Sequence, residues 1–398
     1  MELLLLIGLT LLLGQVGAAV LRRIKIPQVV GYILMGVLLG KSVLNWLEPE
    51  TLVGVTSIAL GLIGYTIGSQ LQIAQLRRLG RSILIISFME AFMAFLLVTL
   101  AVWAITGELY KGLIFGALAS ATAPAATVDV LEEYKCRGVF TTTVLAVVGI
   151  DDGIALLIYG VASSFGKMLF QPELGQGIIA SLLEPLRELG GSLIVGFILG
   201  YIFSRIIRYF KLKGERLSVS LAIVFIGCGI AQQLHLSLIM TNMIAGLVVG
   251  NLVPREVRRL NEVITGFTPP VYILFFALVG ARLDVRLLPV MGLLGVVYII
   301  ARAAGKFGGA YLGAVISKAP STIRKYLGLA LFSQAGVAIG LAIAASSDFA
   351  EAGPVGAEFG NLIINTITAT TFVVQLIGPS FTRIAVFAAG EAKDVYKK

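Results

Sequence analysis

The chain has 398 residues, of which 58% are hydrophobic and 13% charged, and its mean hydropathy is +0.95. A soluble fold this apolar would expose large greasy patches and aggregate, which excludes an ordinary cytosolic enzyme, a disordered chain and a nucleic-acid binder. The excess of 31 Lys and Arg over 22 Asp and Glu, a net +9, is therefore assigned to basic loops on one side of a membrane.

A helix needs about 20 apolar residues to cross about 30 Å of hydrocarbon. Thirteen candidate crossings follow in chain order, at residues 2–21, 27–41, 52–73, 82–106, 110–130, 138–165, 188–208, 216–234, 237–252, 263–281, 287–316, 322–346 and 357–387. The first begins directly after Met1 and Glu2, without a basic leader or a small-residue cleavage site, so it reads as a membrane helix and not a signal peptide. The second and ninth are short. The stretch 170–188 carries Pro172, Glu173, Glu184 and Arg187 and reads as an interfacial or loop-borne helix. With no long polar stretch, no separate soluble domain is expected. The fold class is an all-α polytopic membrane protein.

Orientation follows from the connections. Those after odd-numbered segments, with the C-terminal tail, hold 23 of the 31 Lys and Arg, against 6 on the other side. The bias places the C-terminus in the cytoplasm and the N-terminus outside. The two halves also resemble each other. Gly36 and Gly40 end segment two as Gly246 and Gly250 end segment nine, 210 positions later. Gly68 and Leu71 end segment three as Gly280 and Leu283 end segment ten, 212 positions later. Segments two to six then repeat as nine to thirteen. Two and nine start on opposite sides, so the repeats are inverted, as in many secondary transporters.

Such transporters hold substrate near the midplane, between interrupted helices. Segment five contains Ser120, Thr122, Pro124 and Thr127. Pro124 has no amide hydrogen and clashes with the preceding turn, so the backbone must open there or kink. Freed carbonyls and the Ser and Thr hydroxyls are hard oxygen donors suited to a small cation. Segment twelve contains Ser333, Gln334 and Gly336, and Ser333 lies 213 positions after Ser120.

Segment six places Asp151 and Asp152 in the middle of an apolar run. One Asp at mid-helix costs about 2.5–3.5 kcal/mol on insertion scales. Two side by side repel, so the pair is expected to titrate in separate steps and to trade protons for a cation. Segment eleven supplies Arg302 and Lys306, four apart and so on one face. Lys306 can lose a proton when desolvated and is the candidate titrating partner of Asp151. Arg302, always charged, suits a permanent pair. Glu90 lies 212 positions before Arg302, and a Glu90–Arg302 pair bolting the core is expected, unless Glu90 faces an aqueous funnel.

Asp129, followed by Glu132 and Glu133, either draws cations to the cytoplasmic entrance or is a solvated helix end. His235 reads as a solvated residue of an outer loop. Cys136 and Cys228 read as small apolar fillers, with no disulfide or metal spacing. No ATP-binding motif, dinucleotide fingerprint or zinc motif is present, and no cofactor is expected beyond a transported small cation and H⁺.

Several stretches resemble one family. Ile26 to Tyr32, with Gly36 and Gly40 following, is similar to the second-helix signature of the monovalent cation:proton antiporter superfamily. Phe275, Phe276, Gly280, Leu283 and Asp284 resemble its FFxxxGxxLD motif. Arg302, Lys306 and Gly309 are similar to the basic helix of its NhaA-like and Kef-like branch, and Ser333, Gln334 and Gly336 to its second broken helix. The Asp151–Asp152 pair is similar to the double-Asp site of electrogenic members. The resemblance implies a homodimer with a dimerisation domain and a mobile core, an elevator-like alternating access, competitive binding of cation and proton at Asp152, and a pair between Asp151 and Lys306. The first broken helix reads Thr122-Ala123-Pro124 where relatives often have Thr-Asp-Pro, and the sequence stops at Lys398, ahead of the Kef branch's nucleotide-binding tail, so that regulation is expected to be absent or removed.

The sequence therefore predicts an inner-membrane antiporter exchanging Na⁺ or Li⁺ for H⁺, in contact with lipid and no nucleic acid, and not an enzyme. Its ligands would be Asp151, Asp152 and Thr122. K⁺/H⁺ exchange and sodium-coupled uptake of organic anions on a related inverted-repeat core are the alternatives. Residues 1–81 would form mostly the dimerisation panel, 82–165 the first half of the core, 166–286 a linker and more panel, 287–387 the second half of the core, and 388–398 a cytoplasmic tail.

Overall fold

The structure is a computed structural model, and it describes residues 3–24, 26–47, 53–71, 73–170, 178–282, 292–334, 336–350 and 352–393. Among these, fifteen α-helices make up the chain: α1 (Leu3–Arg23), α2 (Gln28–Leu39), α3 (Val53–Gln70), α4 (Ile73–Thr106), α5 (Leu109–Ser120), α6 (Pro124–Glu133), α7 (Val139–Phe170), α8 (Ile178–Ile206), α9 (Lys213–Gln233), α10 (Leu238–Leu252), α11 (Pro254–Arg282), α12 (Gly292–Ile316), α13 (Ser321–Ala330), α14 (Gly336–Ala350) and α15 (Pro354–Ala388). Eight helical spans are long and apolar enough to cross a membrane, and five shorter apolar helices lie among them. In lipid every backbone polar group must be satisfied within the segment, which is why this composition folds as helices.

The interruptions expected in segments five and twelve are present, each segment being two helices, α5–α6 and α13–α14. Some boundaries differ from the sequence reading, for identifiable reasons. Of the stretch expected to be an interfacial helix, the described part from Ile178 to Glu188 is instead the first part of α8, because it runs unbroken into the rest of that helix. Arg187 is exposed on its side and does not end it. Pro172 and Glu173 lie outside the described residues, as do Leu283, Asp284 and the last five residues of the tail. Helix α11 starts at Pro254, ahead of the expected 263, since Arg255, Glu256 and their neighbours are polar but still helical.

The expected inverted repeat has a physical counterpart in four close contacts between backbones, along two seams, α2 with α11 and α3 with α10. A methyl group added at Gly36 in α2 would lie 2.1 Å from the carbonyl oxygen of Ala277 in α11. The equivalent addition at Gly246 in α10 would lie 2.3 Å from that of Tyr65 in α3. Likewise Gly280 meets Ile33, and Gly68 meets Met243. Ala277 and Tyr65 are 212 positions apart, and Met243 and Ile33 are 210 apart. The same contact is thus made twice, with the same offsets that relate the glycines. Only glycine permits backbones this close, as at other small-residue interfaces of membrane helices.

Helices α4 and α12 cross along a third seam. Gly305, Gly309 and Gly313 lie four apart on one face of α12. Added methyls there would meet Ala94, Glu90 and Ile86 of α4, at 2.5, 2.6 and 2.8 Å from their Cα atoms. This glycine stripe draws Glu90 in against α12. The centre that results is polar: Arg302 and Lys306 are among the largest fully buried side chains.

Candidate functional site: two broken helices around a buried charge cluster

The two interruptions come from local sequence. Pro124 is the first residue of α6, where its missing N–H is harmless, and the chain before it is extended at Ala121 (φ −66°, ψ 144°) and Ala123 (φ −94°, ψ 104°). Helix α13 ends at Ala330, and α14 begins at Gly336, with residue 335 outside the described chain. The breaks then satisfy each other. The N–H of Ala123 donates to the Ser333 carbonyl at 2.9 Å, Gln334 Nε2 donates to the Leu118 carbonyl at 2.8 Å, and the Thr127 hydroxyl donates to the Ala330 carbonyl at 3.1 Å. Ser120 donates within its own helix to Ala117 at 2.6 Å. Irregular backbone in this setting is tolerated only where protein or a cavity meets its polar groups, and here the partner is the other break.

Arg302 completes that satisfaction. Its Nε donates to the Ala119 carbonyl at 3.1 Å and its Nη2 to the Ala121 carbonyl at 2.9 Å. Its Nη1 donates to the Phe332 carbonyl at 2.6 Å. One planar cation thus caps the C-terminal ends of both α5 and α13, where orphan carbonyls and the helix dipoles concentrate negative potential. The expected Glu90–Arg302 pair is not formed. The carbonyls claim the guanidinium fork, and Glu90 meets Lys306, one turn further along α12.

Lys306 has four neighbours that accept protons or charge. Its Nζ lies 2.6 Å from Glu90 Oε2 and 3.1 Å from Asp151 Oδ2, and it donates to Thr122 Oγ1 at 2.8 Å and to the Ser120 carbonyl. Glu90, Asp151 and Lys306 are fully shielded from solvent. The pairing of Asp151 with Lys306 thus has a geometric counterpart.

Asp151 and Asp152 point about 100° apart around α7. Asp151 faces the crossing of α4 and α12. Asp152 is half-buried and lines a small cavity of ≈ 10 Å³ with Leu189 of α8, and Ser237 and Met240 at the start of α10. That is room for about one water or a bare ion. Among the described residues, the buried atoms without a hydrogen-bond partner include Asp151 Oδ1, Asp152 Oδ1, Glu90 Oε1, Asp129 Oδ2 and the hydroxyl of Ser333. Orphaned carboxylate oxygens at this depth call for a proton or a cation.

Other expectations fared unevenly. Asp129 is neither solvated nor at an open entrance: it is 3% exposed on α6. His235 is exposed in the tight turn between α9 and α10, with φ 53°. Cys136 and Cys228 are free and buried. Three features were not anticipated. Tyr298 accepts from Gln334 Nε2 at 2.9 Å. The glycine stripe of α12 was readable from its spacing of four. Glu391 accepts from the backbone N–H groups of Phe140 and Thr141, each at 2.8 Å, at the start of α7, and such a long-range cap leaves no local sequence signal.

Two interrupted helices crossing beside buried carboxylates and basic side chains define a secondary transporter of the inverted-repeat class. The sodium/hydrogen exchanger transmembrane family matches residues 8–388, and the chain belongs to it. It is 24% identical over 313 residues to the high-affinity Na⁺/H⁺ antiporter NhaS3 of Synechocystis sp., covering 69% of this chain and 67% of that one. It is 24% identical over 349 residues to a Na⁺/H⁺ antiporter of Enterococcus hirae, covering 85% and 88%. Its fold matches that of the sodium proton antiporter MjNhaP1 from Methanocaldococcus jannaschii with a TM-score of 0.77, at 20% identity and across the whole of both chains.

Proposed function

We propose that this chain exchanges Na⁺ (or Li⁺) for H⁺ by alternating access, with Asp152 as the residue at which cation and proton compete. The observation that carries the reading is the placement of Asp152. It is the one member of the Asp pair that faces a cavity, its Oδ1 lacks a partner, and its neighbour Asp151 is held by Lys306. The cation would be held by Asp152, Asp151 and Thr122, with broken-helix carbonyls completing the shell. Asp152 protonated on one side would turn to the other, release its proton, take a cation and return. A bare carboxylate does not cross a closed apolar barrier cheaply, so only a neutralised site moves.

Further parts of the reading are supported by packing and charge. Helices α4, α5, α6, α7, α12 and α13 and the breaks beside them carry the polar centre and, with α14 and α15, would form the mobile core, 82–165 with 287–387. The remaining helices would form the panel through which two copies associate. The Lys and Arg bias supports a cytoplasmic C-terminus in the plasma membrane. The acidic pair supports electrogenic exchange, and disfavours an organic anion as cargo.

The test is proton flux in proteoliposomes holding the full chain, followed with a pH-sensitive dye as Na⁺, Li⁺ and K⁺ are added in turn and repeated with the voltage clamped. Na⁺ or Li⁺ is expected to drive protons out of acid-loaded vesicles. A response to K⁺ alone would shift the reading to K⁺/H⁺ exchange, and no response to any cation would overturn it.

A further inference from the structure

Lys306 stands between two carboxylates that come from different helices. The nearer is Glu90 on α4, at 2.6 Å, and the farther is Asp151 on α7, at 3.1 Å. Thr122 Oγ1 and the Ser120 carbonyl are further acceptors. An ammonium carries three N–H groups, so four neighbours exceed its donors and one can leave without stranding a proton. The two carboxylates are not equivalent in their support. Glu90 is fixed beside Lys306 by the backbone contact of Gly309 with its own Cα and by Gly305 against Ala94. Asp151 rides on a different helix, next to Asp152 and the cavity.

A cation that binds Asp151 must draw it away from Lys306. With Asp151 as its sole counter-ion, the lysine would then be an uncompensated buried charge, the costly outcome of breaking a buried pair. It would also repel the incoming cation. We propose that Glu90 is the second counter-ion of Lys306: it holds the ammonium while Asp151 turns to the transported cation, and so sets the affinity of the site without touching the cargo. This rests on the antiport reading above. Glu90 is a positioning residue, and its role follows from the shared ammonium alone.

The experiment compares cation KM and maximal rate in proteoliposomes for wild type, Glu90→Gln, Glu90→Asp, Lys306→Gln and the double variant Glu90→Gln/Lys306→Gln. In Glu90→Gln, Lys306 has only Asp151, so the Na⁺ KM should rise about tenfold with a smaller change in maximal rate. In the double variant the competing lysine is gone, and KM should return toward the value of Lys306→Gln alone. Glu90→Asp keeps the charge on a shorter stem and should fall between wild type and Glu90→Gln. A purely structural Glu90 would instead give multiplying losses in the double variant. Should Glu90→Gln fail to yield a monodisperse protein, Glu90→Asp carries the test, and an unchanged KM there overturns the proposal. So does a Glu90→Gln KM within about twofold of wild type. A wild type that moves no protons with any cation overturns the antiport reading and this proposal together.

Discussion

Asp151 and Lys306 meet at 3.1 Å with neither side chain reached by solvent. Asp152, the next residue, is turned instead toward a cavity. Adjacent carboxylates therefore have different surroundings. Asp152→Asn is expected to abolish cation-driven proton movement in proteoliposomes, and retained exchange would remove Asp152 from the mechanism. Lys306→Gln is expected to change the response of exchange to membrane potential. An unaltered voltage dependence would exclude Lys306 as a carrier of charge in the cycle.

Arg302 answers carbonyls of both broken helices with a rigid fork, a geometry that lysine cannot reproduce. Hydrogen bonds to charged groups contribute about 1.5–3 kcal/mol each. Arg302→Lys should lower the melting temperature of the detergent-solubilised protein, and Arg302→Gln should lower it further. Equal melting temperatures for wild type and Arg302→Gln would mean that the breaks hold without the guanidinium.

The doubled seam makes a paired prediction. Gly36→Ala and Gly246→Ala press a methyl against the Ala277 and Tyr65 carbonyls, and overpacking of this kind costs about 1–3 kcal/mol. The two variants should be destabilised alike, as should Gly309→Ala, which presses on Glu90. Gly308→Ala, beside it in sequence, faces open space and should be neutral. Thermal unfolding of the four variants checks this, and sensitivity at Gly308 would contradict it.

The start of α7 is capped by Glu391, and Cys136 lies just ahead of it in the turn after α6. Burial, with Glu391 nearby as a second cause, pushes the Cys136 thiol from 9.0 up to about 12. The thiol should therefore stay neutral and label slowly with maleimide at pH 8, and quickly once the protein is unfolded. The sign for stability follows. The contribution is complete below about pH 9, where folded and unfolded thiols are both protonated, and is lost as pH climbs toward 12. Glu391→Gln should weaken the cap by about 1 kcal/mol and speed labelling at fixed pH. Fast labelling of the native protein would show that the turn is open.

Much of the site was legible because its residues are improbable in their surroundings. Asp151, Asp152, Glu90, Arg302 and Lys306 are charges in apolar runs, and Pro124 is a helix breaker in mid-segment. Their depth could be read from position alone. Partners could not. That Glu90 would choose Lys306 over Arg302 depended on which backbone carbonyls the breaks would leave open, a three-dimensional question. Likewise Asp129, followed by Glu132 and Glu133, read either as a draw for cations at the cytoplasmic entrance or as a solvated end, yet packing of α6 buried it. The repeat was visible in the offsets of Gly36 and Gly68. Its reason, contact of each glycine with the backbone of the opposite repeat, was not.

Arg302 has a mechanical consequence. Since one flat side chain is bonded across both interruptions, sliding either half-helix alone would tear several bonds at once in a place where no water can replace them. The cradle must then shift as a single rigid insert, whatever displacement carries the ion, and compliance is left to the connectors at its rim.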